Sequence, residues 1–180
     1  WADALARLQE TGTLEFTLTQ LLFDRDHSGH YCRQISSVEV DLPVLTGPFE
    51  DVRATLLQIS SMTATRATAQ SVKYLHEPEG AVAPSDVQFN LRSGQRIALS
   101  VGMADNGMVA MKPVEGLLNP FANTGLVSCW TLNFPWSSKE PQRAMLGSLT
   151  DIIVRIRYTA KVGEPTFTRQ VEDMVTQAEN

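Results

Sequence analysis

The stretch LFDRDHSGHYCRQI, residues 22–35, places Asp24, Asp26, His27 and His30 within seven positions. Two chemistries suit such a cluster. Two imidazoles and a carboxylate can ligate zinc, whose coordination tolerates short spacings in a loop. The same residues can instead tie a turn: Asp and Ser side chains accept backbone N–H bonds, Gly29 reaches unusual backbone angles, and His30 can donate to a carbonyl. The turn is the stronger reading, because the pattern shows none of the outer partners that orient metal-bound histidines. Cys32 follows His30 by two positions, as a nucleophile might follow its base. No third group is placed to orient such a pair, so a packed thiol is expected. The chain has no Gly-x-Ser-x-Gly elbow, no phosphate-cradling Gly-x-x-x-x-Gly-Lys and no His-Glu-x-x-His.

The rest of the chain must position these residues. Its 180 residues suit one globular domain, residues 1–180, and 43% hydrophobic against 19% charged side chains is the balance of a folded protein. The net charge of -5, with basic residues scattered singly, offers a phosphate backbone no footprint, so no nucleic acid is expected as a partner. No apolar run approaches the length that crosses a bilayer, and no membrane contact is expected. The chain starts at Trp1 without an initiator Met or a basic, apolar leader, and reads as a piece of something longer. Cys32 and Cys129 are too few for a disulfide framework, and both are expected as free thiols.

WADALARLQETG predicts a short helix stopped by Gly12. TLEFTL alternates Leu14, Phe16 and Leu18 against polar residues, and SSVEVDLP repeats the pattern with Val38, Val40 and Leu42 inward. LTGPFED predicts a turn and VRATLLQISS another strand. Residues 62–94, rich in Ala, Thr, Ser and Pro, read mostly as a long loop with one short strand near Val87–Leu91. RIALSVG and MVAMKP flank an Asn-Gly pair and predict a hairpin. LVSCWTLNFP puts Leu126, Ser128, Trp130, Leu132 and Phe134 on one face, with Trp130 in the core. TDIIVRIRYTA puts Ile152, Val154, Ile156 and Tyr158 opposite Arg155, Arg157 and Thr159. Residues 166–180 predict an amphipathic helix on Phe167, Val171, Met174 and Val175. The sum is an all-β, antiparallel sandwich or open barrel of about seven to nine strands, with short helices at both termini.

Three segments carry a resemblance. ETGTLEFTLTQLLFDRDHSGHYCRQISSVEVDLPVLTGPFEDVRATL, DNGMVAMKPVEGLLNPFANTGLVSCWTLNFP and LTDIIVRIRYTAKVGEP resemble, in order and spacing, the C-terminal region of the A component of Tc (toxin complex) insecticidal toxins. They cover about two thirds of the chain and omit the Ala/Thr-rich middle. The resemblance implies a domain that follows the channel helices, residues 1–12 being their continuation, and binds the B component at the propeller gate of the B–C cocoon. It implies a secreted bacterial toxin complex, a homopentamer of the whole A component, no cofactor and no reaction. The isolated piece is expected to be a monomer. Asp24, Asp26, Gly29, His30, Tyr31 and Arg33 match the family's Phe-Asp-x-Asp-x-x-Gly-His-Tyr-x-Arg-x-Ile turn and are expected to lock the start of the second strand. His27-Ser28 stands where the family commonly has Tyr-Pro, which makes His27 incidental to that motif.

Partner contacts are sought among apolar residues on loops. GLLNPFANTG exposes Leu117, Leu118, Asn119, Pro120 and Phe121 to that question, and PWSSKEPQR holds Trp136 between turn residues. Each aromatic is either an interface anchor or a plug for an end of the sandwich. Ala122 replaces the Glu usual in the family. A rival reading, a carbohydrate-binding sandwich, needs exposed Trp or Tyr on a flat face, whereas Trp130 and Tyr158 sit in core patterns.

Overall fold

In a computed structural model, the structure describes residues 2–43, 53–79, 81–89, 95–103, 109–113, 121–140 and 142–180. Helix α1 (Ala2–Thr11) buries Leu8 and ends as its sequence requires: Gly12 turns left-handed at φ +75° and donates its N–H to the Leu8 carbonyl at 2.8 Å. Strand β1 (Thr13–Leu18) leads into a single turn of helix, α2 (Gln20–Asp24). There follow β2 (His30–Leu42), β3 (Ala54–Ala64), α3 (Ala69–His76), β4 (Val87–Phe89), β5 (Gln95–Met103) and β6 (Val109–Pro113). The chain closes with β7 (Val127–Asn133), α4 (Gln142–Ser148), β8 (Ile153–Val162) and α5 (Pro165–Glu179).

Every strand pairing is antiparallel, and the hydrogen-bonded order is β1-β7-β3-β5-β6-β2-β8, with β4 added to β3. The sheet folds over on itself, because the segment before β7 reaches back to β2. Gln34 bridges Gly125, Ile35 N–H donates to Thr124 O, and Leu126 N–H donates to Arg33 O. The terminal strands β1 and β8 do not pair among the described residues, so the fold is an open all-β sandwich rather than a closed barrel.

The alternation read from the sequence sets the core. Leu14, Val38, Val40, Leu42, Leu56, Trp130, Leu132 and Phe134 are buried in one cluster with Leu8 of α1 and Met145 and Leu146 of α4. Trp130 is its centre, stacked on Phe16 at 6.3 Å and meeting Phe121 edge-on at 4.8 Å. Its indole N–H donates to Ser128 Oγ at 2.7 Å, which satisfies the one polar atom that this burial would otherwise orphan.

Three elements differ from expectation. Residues 62–94 are not one long loop: β3 runs on to Ala64, α3 occupies Ala69–His76, and β4 is the anticipated short strand. Helix α3 escapes a periodicity reading because only Val72 and Leu75 of its apolar residues are fully buried, although Thr68 caps its start by accepting the Ser71 N–H. Helices α2 and α4 are too short to show a period. The LTGPFED turn and the Asn-Gly turn lie outside the described residues, while the strands flanking the latter pair as a hairpin, Met103 opposite Val109.

Strand β2 carries an irregularity between Tyr31 and Gln34, where Cys32 takes a left-handed φ of 51°. Helices α2, α3 and α5 gather at this end of the sheet. There Val72, Phe167 and Val171 form a small separate cluster lined by Tyr31, Met174 and Val175.

Candidate functional site

The Asp-x-Asp-His-x-x-His stretch is built around Asp24, the last residue of α2, which is 0% exposed. Its carboxylate is fully engaged by protein donors. Arg33 Nη2 of β2 lies 3.0 Å from Oδ1, His76 Nε2 of α3 lies 2.9 Å from Oδ2, and Gln20 Nε2 donates to both oxygens at 3.2 and 3.0 Å. Arg33 Nη2 also donates to the His27 carbonyl at 2.8 Å and so pins the turn to the strand that follows it. One buried carboxylate thus ties α2, β2 and α3 together. Burying it unpaired would be costly, whereas here the guanidinium and amide offset its desolvation.

The two imidazoles do not join that carboxylate. His27 and His30 stack face to face, ring centroids 4.7 Å apart and planes 7° from parallel. Stacked rings direct their nitrogen lone pairs outward in their own planes instead of converging on one ion. Among the described residues no group of three His, Cys, Asp or Glu side chains converges in a way that could hold a metal. His30 is held below its ordinary imidazole pKa, first by burial and then by the nearby His27 and Arg33. Asp26 is exposed on the turn. Gly29 accepts the Gly163 N–H through its carbonyl at 2.8 Å, and Tyr31 meets Phe167 of α5 edge-on at 6.1 Å. Cys32 and Cys129 are both free.

The motif residues therefore meet in one place, and two of their partners were invisible in the sequence. Gln20 stands one turn before Asp24 on α2. His76 comes from the segment read as loop, so nothing in its surroundings marked it.

Of the residues considered for partner contact, Leu117, Leu118, Asn119 and Pro120 lie outside the described residues. Phe121 is 0% exposed against Trp130, on a turn fixed by Thr124 Oγ1, which donates to the Phe121 carbonyl at 2.7 Å and accepts from Gln58 Nε2 at 2.9 Å. Trp136 is the exposed aromatic of the set, at 39%. The guanidinium of Arg53 and the ammonium of Lys139 lie 5.3 and 5.9 Å from its ring centre. Arg53 is itself clamped, since its N–H and carbonyl bond the Gln142 side chain at 3.0 and 3.1 Å. The result is an exposed aromatic ring with two cations beside it. Arg53 carries no sequence signal for this contact, because the fold alone brings it to Trp136.

Comparison with known proteins places the chain in a family. Residues 1–160 match the family described as the Tc toxin complex TcA C-terminal TcB-binding domain; α5 lies beyond the match. Toxin subunit YenA2 of Yersinia entomophaga is 32% identical over 180 residues, covering 100% of this chain and 13% of that protein. The chain therefore spans a small part of the length of the curated relative it matches. A cryo-EM structure of Yersinia pseudotuberculosis TcaA-TcaB aligns with 86% of this chain and 7% of that one, at 24% identity and a TM-score of 0.43.

Proposed function

The chain belongs to the TcA C-terminal TcB-binding domain family of Tc toxin complexes, and from that premise we propose that it is the segment of a toxin A subunit that docks the B component. The contact is with the propeller gate of the B–C cocoon; it assembles the holotoxin, a secreted bacterial complex, and lets the toxic payload enter the channel. The whole A subunit works as a homopentamer, whereas this segment alone is a monomer. The docking is non-enzymatic. The observation that carries the reading is the family match over residues 1–160.

The geometry is consistent with it. The titratable cluster at Asp24 is enclosed and spent on holding α2, β2 and α3 together, which suits a scaffold better than a reaction centre. The exposed Trp136, with Arg53 and Lys139 beside its ring, supplies one anchor. The test is capture of a B component, and of a B–C complex from the same toxin, by this chain on a surface. Saturable binding that free chain competes away supports the proposal. Failure to bind any cognate B component, with retention on a glycan array instead, would replace it with the carbohydrate-binding reading.

A further inference from the structure

Helix α5 is fastened to the rest of the molecule at the turn that carries the stacked histidines. Gly163 N–H, just before the helix, donates to the Gly29 carbonyl at 2.8 Å. Thr168 lies so close to Gly29 that a Cβ there would stand 2.5 Å from Thr168 Oγ1. Phe167 packs on Tyr31, and Arg25 pairs with Glu179 at 2.7 Å. The apolar part of this seam is the small Val72, Phe167 and Val171 cluster, separate from the main core. A helix held by few buried side chains is a local unit that opens at lower free energy than the whole sheet.

The turn disfavours a charged His30. Two imidazolium rings 4.7 Å apart repel, and Arg33 adds a third cation beside them. The Nδ1 of His30 is enclosed and has no hydrogen-bond partner among the described residues, so a proton placed there would lack an acceptor. The other charged groups around the turn do not relieve this. Asp24 of α2 is committed to Arg33, Gln20 and His76 of α3; Asp26 is exposed; Lys161 of β8, in register with Tyr31, is a further cation; and on α5 Glu179 is taken by Arg25.

We propose that the stacked His27–His30 turn is an acid-sensitive latch, which holds α5 on the sheet at neutral pH and releases it in acid. The native fold favours neutral His30, so its contribution is fully present above the ordinary imidazole value of 6.5 and is lost as pH falls through that value towards the lower native one. Release uncovers Tyr31 and Val72. The latch is independent of what the chain docks.

Hydrogen exchange of the intact chain at about pH 7.5 and about pH 5.5, corrected for intrinsic exchange chemistry, reads the latch directly. In acid the amides of α5 and of residues 29–31 lose protection severalfold while β3 and β7 keep theirs. Equal protection of α5 at both pH values, or simultaneous loss everywhere, overturns the proposal. The double variant His27→Phe, His30→Phe keeps stacked rings without a proton site, and its α5 stays protected in acid. His76→Gln keeps a donor to Asp24 and retains the acid response; disappearance of the response in that variant would move the switch to Asp24 and overturn the assignment. Should the Phe variant not fold, titration of the native imidazoles by NMR decides: His30 must titrate below 6.5, and a value at or above it sinks the latch.

Discussion

Asp24 and Arg33 meet at 3.0 Å with 1% and 4% of their side chains exposed, so neither charge has water to fall back on. Replacing Arg33 with Met leaves the carboxylate to Gln20 and His76. Breaking a buried pair from one side costs about 3–5 kcal/mol. Urea unfolding of Arg33→Met should show a loss of that order at unchanged slope, and a loss below about 1 kcal/mol would mean the pair is not what holds α2 to β2.

Phe121 and Trp136 should respond in opposite ways. Phe121→Ala empties a site that is 0% exposed beside Trp130 and should cost about 3–5 kcal/mol of stability. Trp136→Ala removes a ring that is 39% exposed and should change stability by no more than about 1 kcal/mol. Its effect belongs in binding, where loss of an aromatic anchor weakens affinity for the B component by about tenfold or more. Calorimetry and surface capture on the same two variants separate these outcomes.

Gly125 lies where the segment before β7 crosses between β2 and β3. A Cβ built there runs into the Met62 carbonyl, which is backbone and cannot swing away. Gly125→Ala should therefore displace the Gln34 bridge and destabilise by about 1–3 kcal/mol. An unchanged melting temperature would show that this crossing is loose.

A second acid response should be seen at lower pH, from Asp86. The Ser71 hydroxyl, with help from Thr68, which donates to Asp86 Oδ2 at 2.9 Å, holds this carboxyl below its ordinary 3.8 against the opposing effect of burial. A depressed carboxyl stabilises the fold above 3.8 and loses that contribution as pH falls below it. Asp86→Asn should abolish the pH-dependent part of α3 protection in this range. Persistence of the same acid loss in the variant would assign it to another carboxyl.

The strands were legible because their side chains obey one rule: Leu14, Val38, Val40, Trp130 and Leu132 alternate with polar neighbours and all point into one cluster. The terminal helices α1 and α5 were legible from Leu8 before Gly12 and from Phe167 with Val171. What stayed hidden depends on distant partners. Helix α3 is stabilised by two small clusters, one through Leu75 and one through Val72, and by one bond to Asp24, none of which leaves a period in eight residues. The Asp24 cluster was visible as a motif, but its assembly required His76 to arrive from a segment with no pattern of its own. The bracing of Trp136 by Arg53 is likewise a product of the sheet and not of local sequence.

The irregular steps of β2, one at the left-handed Cys32 and one between Ile35 and Ser37, set the phase of the strand after them. By spending irregular steps between Tyr31 and Gln34 and between Ile35 and Ser37, β2 delivers Val38, Val40 and Leu42 to the interior and keeps Glu39 on the other side. Deleting one residue at either step would invert the strand downstream like a zip closed one tooth off, turning a carboxylate inward and three aliphatic side chains out. The length of these irregular steps, more than their chemistry, therefore decides which face of β2 is buried.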